Sequence, residues 1–304
     1  LNALGIDLGG TKIEAVVLAA DGRERWRQRI ATPAGDYGGT MAALQSLVDA
    51  ARNAGHGPFS IGIGTPGTLT AAGLMKNSNS QCLNGRPLQA DLAARLGQPV
   101  AMANDANCLA LSEATDGAGA GAPVVFAAII GTGTGAGIAV HGRVLVGPNG
   151  LAGEWGHNPL PWSVPGADPQ PACYCGQHGC IETLVSGPGL ARDHAALNGG
   201  ALSGPQIVAA AAAGDEACAA TLERHATRLA RALAAVINLL DPDVIVLGGG
   251  VSRMAHLYER VPALWDRWVV SGGVREPVRT RLLPSLHGDA SGVRGAAWLG
   301  RGAG

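Results

Sequence analysis

Lysine is nearly missing from this sequence: Lys12 and Lys76 are the only two in 304 residues. Basic charge is otherwise carried by arginine, and 22 basic against 23 acidic side chains leave a formal net charge of −1. That balance gives no general attraction to nucleic acid or to an anionic membrane. Any phosphate chemistry must therefore come from local sites, and Lys12 is not casual surface charge. Long apolar runs are also missing. The longest, such as Val124–Ile130, have the length of a strand, far short of the roughly 20 residues that span a bilayer. No basic segment precedes the strand-like run Leu4–Leu8, so no secretory signal is read and a cytoplasmic location is expected. Aromatic residues make up 4% of the chain, which leaves the core to Ala, Leu, Val and Ile.

Glycine, by contrast, is abundant, at 47 residues, and clusters in short turns between apolar strands. The opening reads strand, Gly9-Gly10, then strand from Thr11 to Leu18, with a third strand near Arg25–Ile30. Met41, Leu44, Leu47 and Val48 share one face of a helix expected over Thr40–Ala54. Ser60–Gly64 and Val100–Ala103 read as strands, and Asn104-Asp105 open a helix to about Ala114. The Gly-Ala run Gly117–Ala122 reads as a linker. It divides a smaller domain, 1–118, from a larger one, 119–304. The second half repeats the opening: strand Val124–Ile130, turn Gly131-Thr132-Gly133-Thr134-Gly135, strand Ala136–Val140. Asp215–Leu240 is the clearest amphipathic helix, with a 3.6-residue apolar period. A strand over Asp243–Leu247 ends in Gly248-Gly249-Gly250, and Ser291–Leu299 reads as a closing helix. Alternating strands and helices argue for an α/β fold.

Several motifs carry chemistry. A Gly-Gly pair alone marks an ordinary hairpin, but Asp7-Leu8-Gly9-Gly10-Thr11-Lys12 sets an acid before the turn and Thr-Lys after it. Glycines let backbone N–H groups approach phosphate oxygens, and Asp7 is a candidate Mg²⁺ ligand. The segment is not a Walker loop. Gly131-x-Gly133-x-x-Ala136 matches a dinucleotide fingerprint formally, but a strand follows where that fingerprint needs a helix. A second phosphate-binding hairpin fits better. Asn104-Asp105-Ala106-Asn107 suits a helix cap and a catalytic base equally well, because a helix N-terminus favours the ionised carboxylate that a base requires.

Of six cysteines, three crowd together as Cys173-x-Cys175-x4-Cys180, with His157 nearby. Three thiolates and one imidazole are the four ligands of a closed structural zinc site. His178, squeezed between two of the cysteines, ranks below His157 as the fourth. Glu154 and Glu182 lie three and two residues from proposed ligands, so a metal there would fix two carboxylates suited to sugar hydroxyls. Cys82, Cys108 and Cys218 read as core cysteines.

Taken in order, Asp-Leu-Gly-Gly-Thr-Lys, Gly-Thr-Pro-Gly, Asn-Asp-Ala-Asn, Gly-Thr-Gly, Glu-x-Gly-His and Cys-x-Cys-Gly-x-x-Gly-Cys-Ile-Glu resemble the ROK family of sugar kinases and repressors, from about Gly5 to Trp298. Lys76-Asn77-Ser78-Asn79-Ser80, Glu154–Trp162 and Cys173–Gly176 resemble its fructokinase/mannokinase branch. The resemblance implies an actin-like (ribonuclease H-like) ATPase fold of two domains around a cleft, ATP with Mg²⁺, a structural Zn²⁺ and a homodimer. It implies that Asp105 is the base and that Asn79, Asn104, Glu154, His157 and Glu182 contact the sugar, His157 serving zinc and sugar through its two ring nitrogens. Nucleotide contacts are implied along Gly5, Ile6, Asp7, Leu8, Gly9, Gly10, Thr11 and Lys12, along Gly131–Gly135, and at Gly249 and Gly250. The final helix of such proteins often returns to the small domain. Fructose, with mannose or glucose slower, is the expected acceptor at its 6-hydroxyl. N-acetylglucosamine kinase or glucokinase is the alternative. A repressor is not expected, because the phosphate hairpin starts by Gly5 and no basic recognition helix is seen.

Overall fold

The computed structural model describes residues 1–274 and 276–302. In chain order the strands are β1 Asn2–Leu8, β2 Lys12–Leu18, β3 Glu24–Ala31, β4 Phe59–Thr65, the short β5 Thr68–Leu69 and β6 Met75–Lys76, β7 Val100–Asn104, β8 Val124–Ile130, β9 Thr134–Val140, β10 Arg143–Val144, β11 Val244–Gly248 and β12 Arg281–Pro284. The α-helices are α1 Tyr37–Asn53, α2 Leu88–Leu96, α3 Asp105–Thr115, α4 Ile181–Val185, α5 Gly187–Asn198, α6 Gly204–Ala212, α7 Glu216–Leu240, α8 Leu257–Leu264 and α9 Ser291–Gly302. No described helix is long and apolar enough to cross a membrane.

The chain forms two compact units. The first contains 1–121, 137–152 and 289–304. Its sheet runs β3-β2-β1-β4-β7. β1 pairs antiparallel with β2 and parallel with β4, which is parallel to β7. The inner strands read as continuous apolar runs because both faces are covered. On one face Leu4, Ile6, Leu8, Ile13 and Val17 pack with Met41, Leu44 and Val48 of α1. On the other, Ala3, Val16 and Leu18 pack with Val293 and Ala297 of α9. Glycine lets α9 lie this close: a Cβ at Gly5 would stand 2.1 Å from Val293 O, and one at Gly62 1.9 Å from Ala296 O.

The second unit contains 122–136 and 153–288. Here β8, β11 and β12 run parallel. The amphipathic α7 begins where the sequence indicates, with the Asp215 carboxylate accepting the Cys218 N–H at 2.9 Å as the N-cap. Its buried face carries two arginines the apolar period did not signal. Arg231 clasps Asp168 at 2.7 and 2.8 Å, and Arg228 reaches Asp168 at 3.1 Å and Asp193 at 2.7 Å. These bonds fasten the irregular loop around Asp168 to the helix. Burial alone would raise the Asp168 carboxyl, but Arg231, the Val164 N–H and Arg228 outweigh it and bring the pKa to about 2.

Candidate active site and metal centre

In the first unit the candidate residues gather at the carboxyl ends of parallel strands, where open α/β sheets bind ligands. β1 delivers Asp7 and β7 runs into Asn104, with β4 between them in the register Asp7↔Gly64↔Ala103. A Cβ at Gly64 would stand 3.2 Å from Cys108 Sγ, so the glycine lets α3 pack close to the end of β4 beside Asp7. Asn104 caps α3: its Oδ1 accepts the Asn107 N–H at 2.7 Å, which leaves its amide nitrogen for a ligand. Asp105 is the first residue of α3, and its Oδ1 accepts the Ala106 N–H at 2.8 Å. The protein crowded around the Asp105 carboxyl raises its pKa, against the Ala106 and Asp105 N–H groups. The Asp7 carboxyl is pushed up to about 6 by burial, then by Asp105 and Glu14, with Lys12 pulling the other way. A half-buried carboxylate beside two others is short of positive charge, which fits a cation ligand.

The β1–β2 turn closes through the Gly9 N–H, which donates to Lys12 O at 3.0 Å. Thr11 and Lys12 are exposed beyond it. Gly10, Thr11 and Asn79 line a cavity of about 390 Å³ with Thr32, Gln81 and Cys82. Of the other residues in the implied nucleotide motif, Leu8 also lines that cavity. Ile6 and Leu8 are core side chains, and Gly5 faces the α9 backbone. They hold the strand from which Asp7 projects. Gly292 at the start of α9 lies beside Asp7, where a Cβ would stand 3.5 Å from Oδ2. A residue so far along the chain gave no local signal.

In the second unit, the turn Gly131–Gly135 leaves β8, and the Gly131 N–H donates to Gly133 O at 2.9 Å. Gly249 and Gly250 follow β11, and Gly249 packs on the end of β8, where a Cβ would meet Ile130 O at 2.6 Å. Glu154 and His157 lie on one 3₁₀ turn, Glu154–His157. Trp155 fixes that turn: its indole N–H donates to Ala232 O at 3.2 Å, and its ring meets Phe126 edge-on at 5.7 Å. Gly156 lets the turn press on β9, since a Cβ would stand 1.8 Å from Thr134 O. Glu182, on α4, accepts the Thr134 N–H at 2.8 Å. Glu182 and Gly156, which lies in the turn bearing Glu154 and His157, thus both meet Thr134.

His157, Cys173, Cys175 and Cys180 converge, with their ligand atoms all within 4.8 Å of one another. Cys173 Sγ lies 3.6 Å from His157 Nδ1, and Cys175 Sγ 3.7 Å from Cys180 Sγ. A tetrahedral zinc with bonds of about 2.3 Å to sulfur and about 2.05 Å to nitrogen spaces its ligand atoms at roughly 3.6–3.8 Å. The four groups fit that ion, and His178 is not among them. Main-chain bonds frame the group: Cys173 N–H to Gln177 O at 2.8 Å, and Ile181 N–H to Asn158 O at 2.9 Å. One partner went unforeseen. The Tyr174 hydroxyl lies 2.9 Å from His157 Nε2, the nitrogen the resemblance reserves for sugar, and the rings pack edge-on at 5.0 Å. A metal-bound imidazole commonly has such an outer partner.

The sequence model of the ROK family matches residues 3–303. The chain is 39% identical over 309 aligned residues to an N-acetyl-D-glucosamine kinase of Pectobacterium atrosepticum, covering 97% of each chain. Among solved structures it resembles a ROK hexokinase from Thermus thermophilus, with a TM-score of 0.84, 32% identity and coverage of 98% and 97%. It also resembles a ROK family glucokinase from Streptomyces griseus in complex with glucose and AMPPNP, with a TM-score of 0.76, 30% identity and coverage of 99% and 100%.

Proposed function

The chain belongs to the ROK family and has its actin-like α/β fold, and on that premise we propose that it is an ATP-dependent hexose kinase whose preferred acceptor is N-acetylglucosamine. The observation that carries the choice of sugar is the end-to-end identity with an N-acetyl-D-glucosamine kinase. Fructose, expected from the branch motifs, has no counterpart among the relatives named above. Glucose is the second reading, favoured by the glucose bound in the Streptomyces griseus neighbour, whose AMPPNP supports ATP as donor.

In this reading the turns Gly9–Lys12 and Gly131–Gly135 bind phosphate oxygens through backbone N–H groups. Gly249 and Gly250 lie by the nucleoside. Asp7 would hold Mg²⁺, whose charge would offset that of the phosphates. Glu154, Glu182 and Asn104 hold sugar hydroxyls, with Asn79 as a further contact. Asp105 accepts the proton of the 6-hydroxyl as that oxygen bonds to the γ-phosphorus and the bond to ADP breaks. Its raised pKa makes it the stronger base, while the α3 N-terminus favours its ionised form. His157, Cys173, Cys175 and Cys180 would hold zinc with four protein ligands, and the ion would serve to fix the segment bearing Glu154 and Glu182.

ADP release measured by a coupled assay over N-acetylglucosamine, glucose, mannose and fructose tests the proposal. The highest kcat/KM is expected for N-acetylglucosamine. A higher value for fructose would restore the reading from the motifs. ADP release independent of every sugar would overturn the kinase assignment.

A further inference from the structure

Thr134 is a point of convergence. Its N–H donates to Glu182 Oε2 at 2.8 Å. A Cβ at Gly133 would stand 2.9 Å from the same oxygen, so the carboxylate lies directly on the glycine turn. The Thr134 hydroxyl is buried and has no hydrogen-bond partner. The turn thus offers one N–H that is occupied by an internal anion and one hydroxyl that is unsatisfied. Both are groups a phosphate oxygen would use.

We propose that Glu182 couples the two substrates by competing with phosphate for this turn, an inference that rests on the kinase reading above. In the free protein the Glu182 carboxylate fills the Thr134 N–H and repels an incoming phosphate. When a hexose binds, its hydroxyls donate to Glu182 and draw the carboxylate off the turn. The N–H and the free hydroxyl of Thr134 then receive the nucleotide. The protein's own carboxylate stands in for the phosphate until the acceptor has arrived, so nucleotide binds well only after sugar. The physical requirement is that two anions cannot share one donor in a partly desolvated site. Glu182 has a fixed backbone for this exchange, since α4 follows directly on Cys180 of the metal group.

Titration calorimetry of Mg²⁺–AMPPNP into the natural protein and into Glu182→Gln, each without sugar and with saturating N-acetylglucosamine, tests the coupling. The variant keeps the size and hydrogen-bonding shape of the side chain and removes its charge. In the natural protein, sugar should tighten AMPPNP at least about five-fold, within the usual range of coupling between sites. Glu182→Gln should bind AMPPNP more tightly than the natural protein when no sugar is present, and sugar should add little. A merely structural role would give equal or weaker binding in that sugar-free arm, and either result overturns the proposal. So does a natural protein in which sugar leaves AMPPNP affinity unchanged. Zinc content and melting temperature of the variant check that it is folded, and Glu182→Ala replaces it if it is not. The sugar-panel assay separates the two levels of failure. If no sugar supports ADP release, the kinase reading falls. If sugars are phosphorylated but the sugar-free arm shows no tightening, only the coupling falls.

Discussion

Asp7→Asn should make the unliganded protein more stable while abolishing turnover. The Asp7 carboxyl is raised from 3.8 to about 6, by burial first and then by Asp105 and Glu14. The sign follows from proton uptake. Between pH 4 and 6 the folded protein holds a proton on Asp7 that the unfolded chain has lost, so stability falls as pH rises through that window. Below about pH 4 both states are protonated and the penalty is absent. Above about pH 6 it is complete, at about 3 kcal/mol for a shift of about two pKa units. Asparagine has nearly the same shape and no charge, so the variant escapes the penalty. Thermal melts without added Mg²⁺ or nucleotide should show Asp7→Asn melting several degrees above the natural protein at pH 7.5. The two curves should converge by about pH 4. Adding Mg²⁺ and AMPPNP should then stabilise the natural protein more than the variant, because the buried carboxylate gains the cation it lacks. A variant equal to or below the natural protein at pH 7.5, or a gap that persists into acid, would refute the reasoning.

Further outcomes follow from the other buried groups. Elemental analysis should find about one zinc per chain, and Cys175→Ser should lower the metal content and weaken sugar binding more than nucleotide binding; unchanged sugar affinity in a zinc-depleted variant would contradict this. Asp168→Asn leaves Arg228 and Arg231 without their shared carboxylate, so urea unfolding should show a loss of about 3–5 kcal/mol at neutral pH. Because the Asp168 pKa is lowered to about 2, its contribution is present above about pH 4 and fades as the pH falls toward 2; a loss that does not shrink in acid would point to another cause. Gly62→Ala should destabilise the first unit by roughly 1–3 kcal/mol, because its methyl would press on Ala296 O, and melting temperature checks this.

What was legible in the sequence follows from how local each signal is. The strands β1, β2 and β8 appear as apolar runs between glycine turns, and β8 spans Val124–Ile130 as expected. The amphipathic period marks α7 within a residue, and the Asn104 cap marks the start of α3. Helices with a weaker signature were missed. The alanine-rich α6 has no sharp polar face, and the five-residue α4 is held by the fold around Cys180 rather than by its own periodicity. The cysteine spacing was enough to assemble the metal group, because three of its four ligands lie within eight residues. Glu182 and Asp105 were singled out by motif, and the structure places them on α4 and at the start of α3. The bond from Thr134 to Glu182 crosses 48 residues, and the contact of Gly5 with α9 spans nearly the whole chain. No local pattern encodes such contacts. For the same reason Gly5, Ile6 and Leu8 read as part of a nucleotide motif, although Ile6 and Leu8 pack the core on the α1 face of β1 and Gly5 meets α9 on the other.

The most direct test of the central claim is the turnover of Asp105→Asn with ATP and N-acetylglucosamine, measured beside the nucleotide affinity of the same variant. Asparagine keeps the shape at the start of α3 and cannot take the proton. The variant's kcat should be lower by about 10²–10⁴-fold, with AMPPNP affinity and melting temperature close to those of the natural protein. Turnover within a few-fold of normal in the folded variant would contradict it.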